Sequence, residues 1–134
     1  MSARAEANKT LVLEAFDTLF NRRDYVAAER FWSPDYVQHS AHIGPGREGL
    51  FELIRAVPET LVYEHGLILA DDEYVMVHSR FSGNGRPRAW IGVDIVRIVD
   101  GRLAEHWDVL QDEATMAESQ SKHPMFGEAF SPGD

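Results

Sequence analysis

Between about Ala5 and Asn21 the apolar residues Val12, Phe16, Leu19 and Phe20 recur at intervals of three and four. Leu11 and Ala15 widen this stripe, so the segment predicts an amphipathic helix. A shorter helix is predicted from about Tyr25 to Phe31, with Asp24 as its N-cap and the Ser33-Pro34 pair closing it. Asn21-Arg22-Arg23 is the turn between the two. A third helix is expected from Arg47 to about Ala56, after the break at Gly44-Pro45-Gly46 and before Pro58.

The pattern then changes to that of strands. Tyr36–Ser40 is short and alternating, and longer runs follow at Leu61–Leu69, Tyr74–Phe81, Ala89–Val99 and Leu103 to about Gln111. Asp100-Gly101 favours positive φ at both central positions, the requirement of a tight type I′ hairpin. Helices followed by hairpin-connected strands predict an α+β domain, with helices packed on one face of an antiparallel sheet. A curved sheet closed on one side by helices leaves a pocket between them.

A length of 134 residues fits a single domain, 1–134, with a core of about 8–111 and a C-terminal tail, 112–134, rich in Ser, Glu, Gly and Pro. With no cysteine, thiol catalysis, thiolate metal sites and disulfides are excluded. The net charge is −9, and residues 105–134 hold seven of the 22 acids against Lys122 alone. That surface repels phosphate backbones and anionic lipid, so neither nucleic acid nor membrane is an expected partner. Met1–Lys9 is polar, and no apolar run approaches a membrane span, which predicts a cytoplasmic location.

His39, His78 and His106 lie inside apolar strand-like runs, as do Asp94 and Asp108. Such groups point outward or line a cavity, because burying one unpaired costs roughly 1–3 kcal/mol. Carboxylates and imidazoles in a half-apolar cavity are the groups that general acid–base catalysis uses. His106, Asp108 and Leu110 share one strand face. With a two-residue turn, however, Asp94 sits across from Trp107, and parity separates Asp94 from Asp108 unless a bulge intervenes. Asp94 could instead pair with Arg97 or Arg88. His39 and His42 are three apart and would need further ligands to hold a metal, so no metal or cofactor is expected.

The runs Tyr36-Val37-Gln38-His39-Ser40 and Val75-Met76-Val77-His78-Ser79 resemble the SnoaL-like polyketide cyclases of the nuclear transport factor 2-like superfamily. So does Val93-Asp94-Ile95-Val96-Arg97 followed by Asp100 through Asp108. The resemblance implies a cone of three helices on a curved antiparallel sheet enclosing a pocket, paired as a homodimer through the sheet. It implies Asp108 as acid/base, His39 at the position where related ketosteroid isomerases carry their carboxylate base, and Asp94 as an oxyanion donor with His106 beside it. Tyr36, His78, Trp107, Phe16, Met125 and Phe126 are the expected ligand contacts, and in a purely structural dimer the last two would plug the pocket from the tail.

The expected reaction is aldol-condensation-type chemistry, without a cofactor, on a small hydrophobic carbonyl or aromatic compound. An isomerase or dehydratase would use the same pocket. A non-catalytic ligand-binding protein, or a structural dimer with a filled pocket, would fit the same residue pattern.

Overall fold

The computed structural model describes residues 2–131, so positions 1 and 132–134 of the expected domain and tail lie outside the described residues. Helix α1 (Ala3–Phe16) starts where the Ser2 side chain accepts a hydrogen bond from the Ala5 N–H at 3.0 Å. It runs on into a π-helical turn, Asp17–Asn21, that the spacing of apolar residues did not reveal. The wider turn brings three consecutive side chains, Thr18, Leu19 and Phe20, into the core. Asn21 then pairs with the backbone of Tyr63, accepting from its N–H at 2.8 Å and donating to its carbonyl at 3.2 Å.

Asp24 caps α2 (Tyr25–Ala28), accepting from the Ala27 N–H at 3.1 Å. This helix is shorter than the residues 25–31 expected, and Ser33-Pro34 does not close it. The pair lies within β1 (Trp32–Gln38), an edge strand, where a proline costs no ladder bond that the sheet requires. Helix α3 spans Gly46–Ala56.

Strands β2 (Val62–Ala70), β3 (Tyr74–Ser82), β4 (Trp90–Val99) and β5 (Arg102–Asp112) form an antiparallel meander. The β4–β5 turn has φ of 51° at Asp100 and 71° at Gly101, as a type I′ hairpin demands. The sheet order is β1-β5-β4-β3-β2, and β1 pairs with β5 in parallel, the one departure from an antiparallel sheet. Sequence periodicity carries no information on that pairing, which joins residues far apart in the chain.

The helices pack on the concave face of this curved, unclosed sheet. Trp32, Phe51, Leu19 and Leu103 are fully buried between them, with Phe16, Phe20 and Tyr63 in ring contact nearby. Among the described residues, no helix is long and apolar enough to cross a membrane.

The tail lies against the opposite, outer face. Arg80 grips Glu113 through two nitrogens at 2.8 and 3.1 Å. Arg88 holds Glu118, whose carboxyl is pulled down to about 2 by that hydrogen bond above all. Phe126 lies 5.2 Å from the His78 ring, centroid to centroid, and Met125 Sδ accepts from the Ala114 N–H at 3.2 Å. Met125 and Phe126 therefore do not plug the pocket.

Candidate active site

The register of β4 and β5 decides what faces the concave side. Next to the hairpin Val99 pairs with Arg102 and Ile98 with Leu103, but from Arg97 onward the partner is one residue later, starting at Glu105. Ala104 is the extra residue of a β-bulge in β5. Consecutive Leu103 and Ala104 are both buried in consequence, and Asp94 comes to lie opposite Asp108. The parity conflict is resolved: Asp94, His106 and Asp108 share the inner face, their donor atoms within 4.8 Å of one another.

Behind them runs a hydrogen-bonded chain. His106 Nε2 is 2.7 Å from Asp94 Oδ1, and Ser79 donates to Asp94 Oδ2 at 2.8 Å, with the Tyr63 hydroxyl 3.2 Å beyond. His106 Nδ1 is 2.8 Å from Gln38 Oε1. The same Oε1 accepts from the Ser40 backbone N–H at 2.9 Å, which fixes the amide orientation and makes His106 Nδ1 a donor. Neutral His106 therefore offers a lone pair at Nε2, and its 2.7 Å contact with Asp94 holds one proton shared by the pair. Asp94, 3% exposed, has both oxygens engaged in this chain, so it is not aimed at a ligand as a free donor. It pairs with neither Arg97, which binds Glu105, nor Arg88, which binds Glu118.

Asp108 is different. Ser40 donates to its Oδ2 at 3.0 Å, and its second oxygen has no hydrogen-bond partner among the described residues. It is half-buried on the wall of a pocket with a cavity volume of about 50 Å³. Most of that space is narrow and apolar, lined by Phe16, Phe20, Leu50, Ile54, Trp90 and Leu110 among others. Tyr36 shares the pocket. Gln38 Nε2 donates to its oxygen at 3.0 Å, and burial pushes its ionisation well above the usual phenol range, with Asp94 and Asp108 adding to the shift. It stands there as a neutral hydroxyl.

Several expected contacts lie elsewhere. His39 is exposed on the outer face, its Nε2 2.6 Å from Glu105 and its ring stacked on Trp107 at 4.8 Å. His78 and Phe126 meet on that same face, and Met125 lies with them. Strand parity explains His39, Trp107 and His78: each is one residue from an inward-facing neighbour. Conversely, Gln38, Ser40 and His42 belong to the site and were not anticipated. Gln38 and Ser40 share parity with Tyr36, which was the available signal.

The family model for the SnoaL-like domain matches residues 12–106. The chain belongs to the SnoaL-like domain family. This SnoaL-like domain is similar in structure to AclR from Streptomyces galilaeus, a candidate hydroxylase, at 28% identity over 78% of each chain and a TM-score of 0.61. It is similar to a candidate ketosteroid isomerase from Kribbella flavida DSM 17836, at 21% identity, covering 81% of this chain and 80% of that one, with a TM-score of 0.70. An NTF-2 like protein of unknown function from Burkholderia xenovorans LB400 matches at 18% identity, covering 83% and 88%, with a TM-score of 0.68. Other neighbours of the SnoaL-like domain are described as candidate polyketide cyclases. No curated protein sequence matches it.

Proposed function

We propose that this SnoaL-like domain is an acid/base enzyme that catalyses aldol-condensation-type chemistry on a small hydrophobic carbonyl compound, with Asp108 as the base. The observation that carries this reading is a carboxylate with one oxygen anchored by Ser40 and the other unengaged, set in an apolar pocket that also holds a neutral phenol. Asp108 removes a proton from a carbon flanked by carbonyls, and the Tyr36 hydroxyl donates to the enolate oxygen that develops. Such carbons are acidic enough for a carboxylate to serve, so the reaction as proposed needs no cofactor. The Asp94–His106 pair, tied to Gln38 and Ser79, is a positioning group that keeps β1, β4 and β5 in the arrangement from which Asp108 and Tyr36 project.

The test is exchange of the activated C–H of cyclic and aromatic 1,3-dicarbonyl compounds in deuterated water, followed by proton NMR. Asp108→Asn is expected to lower the exchange rate by about 10² to 10⁴-fold with little change in melting temperature. An unaltered rate in that variant removes Asp108 from the mechanism. Saturable binding without exchange by the wild type would make the protein a ligand carrier instead.

The partner proposed besides the ligand is a second copy of the chain, docked through the outer sheet face. Leu69 pairs with Met76, Met76 with Ile95 and Ile95 with Trp107, so an apolar row crosses four strands there. Leu69 is 56% exposed and Met76 45%.

A further inference from the structure

In the proposed reaction Ser40 only anchors one oxygen of Asp108, and His42 has no role. Ser40 is buried, and its backbone N–H is held by Gln38, so its hydroxyl has a fixed place. That hydroxyl lies 3.0 Å from Asp108 Oδ2 and 3.1 Å from His42 Nδ1. His42 is exposed at the pocket, with its ring edge-on to Trp90 at 5.3 Å, and its Nε2 has no hydrogen-bond partner among the described residues. A half-buried carboxylate is thus joined to an exposed imidazole by a single hydroxyl.

Counting hydrogens sets the direction of these bonds. A serine hydroxyl has one hydrogen, and an ionised carboxylate only accepts. Ser40 therefore donates to Asp108, and His42 Nδ1 must carry the hydrogen that reaches Ser40. Protonating Asp108 reverses every donor: Asp108 O–H donates to Ser40, Ser40 donates to His42 Nδ1, and His42 carries its hydrogen on Nε2.

From these two states we infer that Ser40 and His42 form a proton relay that returns Asp108 to its basic form through solvent. The inference rests on Asp108 being the base. The proton taken from carbon is turned toward Ser40 by rotation of the carboxyl group. His42, exposed to solvent, first changes tautomer through water, taking a proton at Nε2 and releasing the one at Nδ1. The Asp108 proton then moves to Ser40 Oγ as the Ser40 proton moves to His42 Nδ1. Asp108 is again a carboxylate, His42 is an imidazolium, and His42 gives its Nε2 proton to water. Charge and protons balance at each step. Among the described residues, the charged or titratable groups around the relay are Asp94, His106 and the Tyr36 phenol on the side of Asp108, and Arg86, whose guanidinium sits 5.0 Å from the centre of the Trp90 ring that His42 abuts.

The tautomer of neutral His42 tests the wiring without any substrate. Two-dimensional ¹H–¹⁵N correlation of the imidazole nitrogens is expected to show the Nδ1–H form, the less favoured one for a free histidine, in wild type and in Ser40→Thr. Ser40→Ala is expected to show Nε2–H. The Nε2–H form in wild type, or an unchanged Nδ1–H form in Ser40→Ala, overturns the relay. In the deuterium-exchange assay Ser40→Ala is expected to lose at least about tenfold in rate, with Ser40→Thr restoring most of it. Equal rates in wild type and Ser40→Ala also overturn the relay while leaving Asp108 as the base. No exchange by the wild type overturns the base itself, and the relay with it, whatever the tautomer.

Discussion

His39 shows how one residue step along a strand separates chemistry from surface electrostatics. Its hydrogen bond, followed by that from Arg97 at 2.9 Å, holds the Glu105 carboxyl below the ordinary glutamate range. A carboxyl depressed in the folded state adds stability above its unfolded value, and this is lost as pH falls through the folded one. His39→Ala removes the larger cause, so stability should fall less steeply through the acid range in the variant, as read from urea midpoints at stepped pH. The effect is small because the side chains are partly exposed, 41% for His39 and 20% for Glu105. Parallel acid limbs for the two proteins would show that Arg97 alone sets the Glu105 carboxyl.

At the scale of elements, the β4–β5 hairpin is pressed together at Gly92. A Cβ there would stand 2.5 Å from Leu110 Cδ2 and 2.7 Å from the Val109 carbonyl oxygen. The leucine can turn away, but the carbonyl is backbone, so Gly92→Ala should destabilise the fold by about 1–3 kcal/mol in chemical denaturation. Gly66→Ala, which meets the Phe126 ring at 3.2 Å, should cost less because a side chain can move. A larger loss at Gly66 would show the tail to be the more rigid element. Helix α3 and strands β2 to β5 were legible in the sequence because burial imposes periods of 3.6 and 2 on apolar residues, and the Asp100-Gly101 turn because it needs positive φ, whereas the end of α2 and the start of β1 were not. The bulge was not legible. Ala104 is compatible with either face, and nothing in its neighbours marks it as supernumerary. The candidate site was legible as a set of residue types, and its sorting into inner and outer members depended on that one residue.

For the whole molecule, the two faces of the sheet have opposite characters. The inner face holds the polar chain around Asp94 and the pocket, whereas the outer face holds the apolar row from Leu69 to Trp107 and the docked tail. If that row is a dimer surface, Met76→Lys should give a monomer in sedimentation analysis while keeping its folded circular dichroism spectrum. A variant that sediments like the wild type would place the contact elsewhere. Phe126 was expected in the pocket because apolar character alone does not say which side of a sheet a tail will cover.

The bulge at Ala104 makes the face occupied by Asp108 a matter of chain length rather than of residue identity. Removing that one alanine would keep every other side chain in the sequence and yet turn Asp108 outward and Trp107 inward along the rest of β5. Point-substitution libraries never sample this variable. For a lineage or an engineer working from this scaffold, a three-base deletion exchanges the inner and outer members of β5 in one event, with no substitution at any of them.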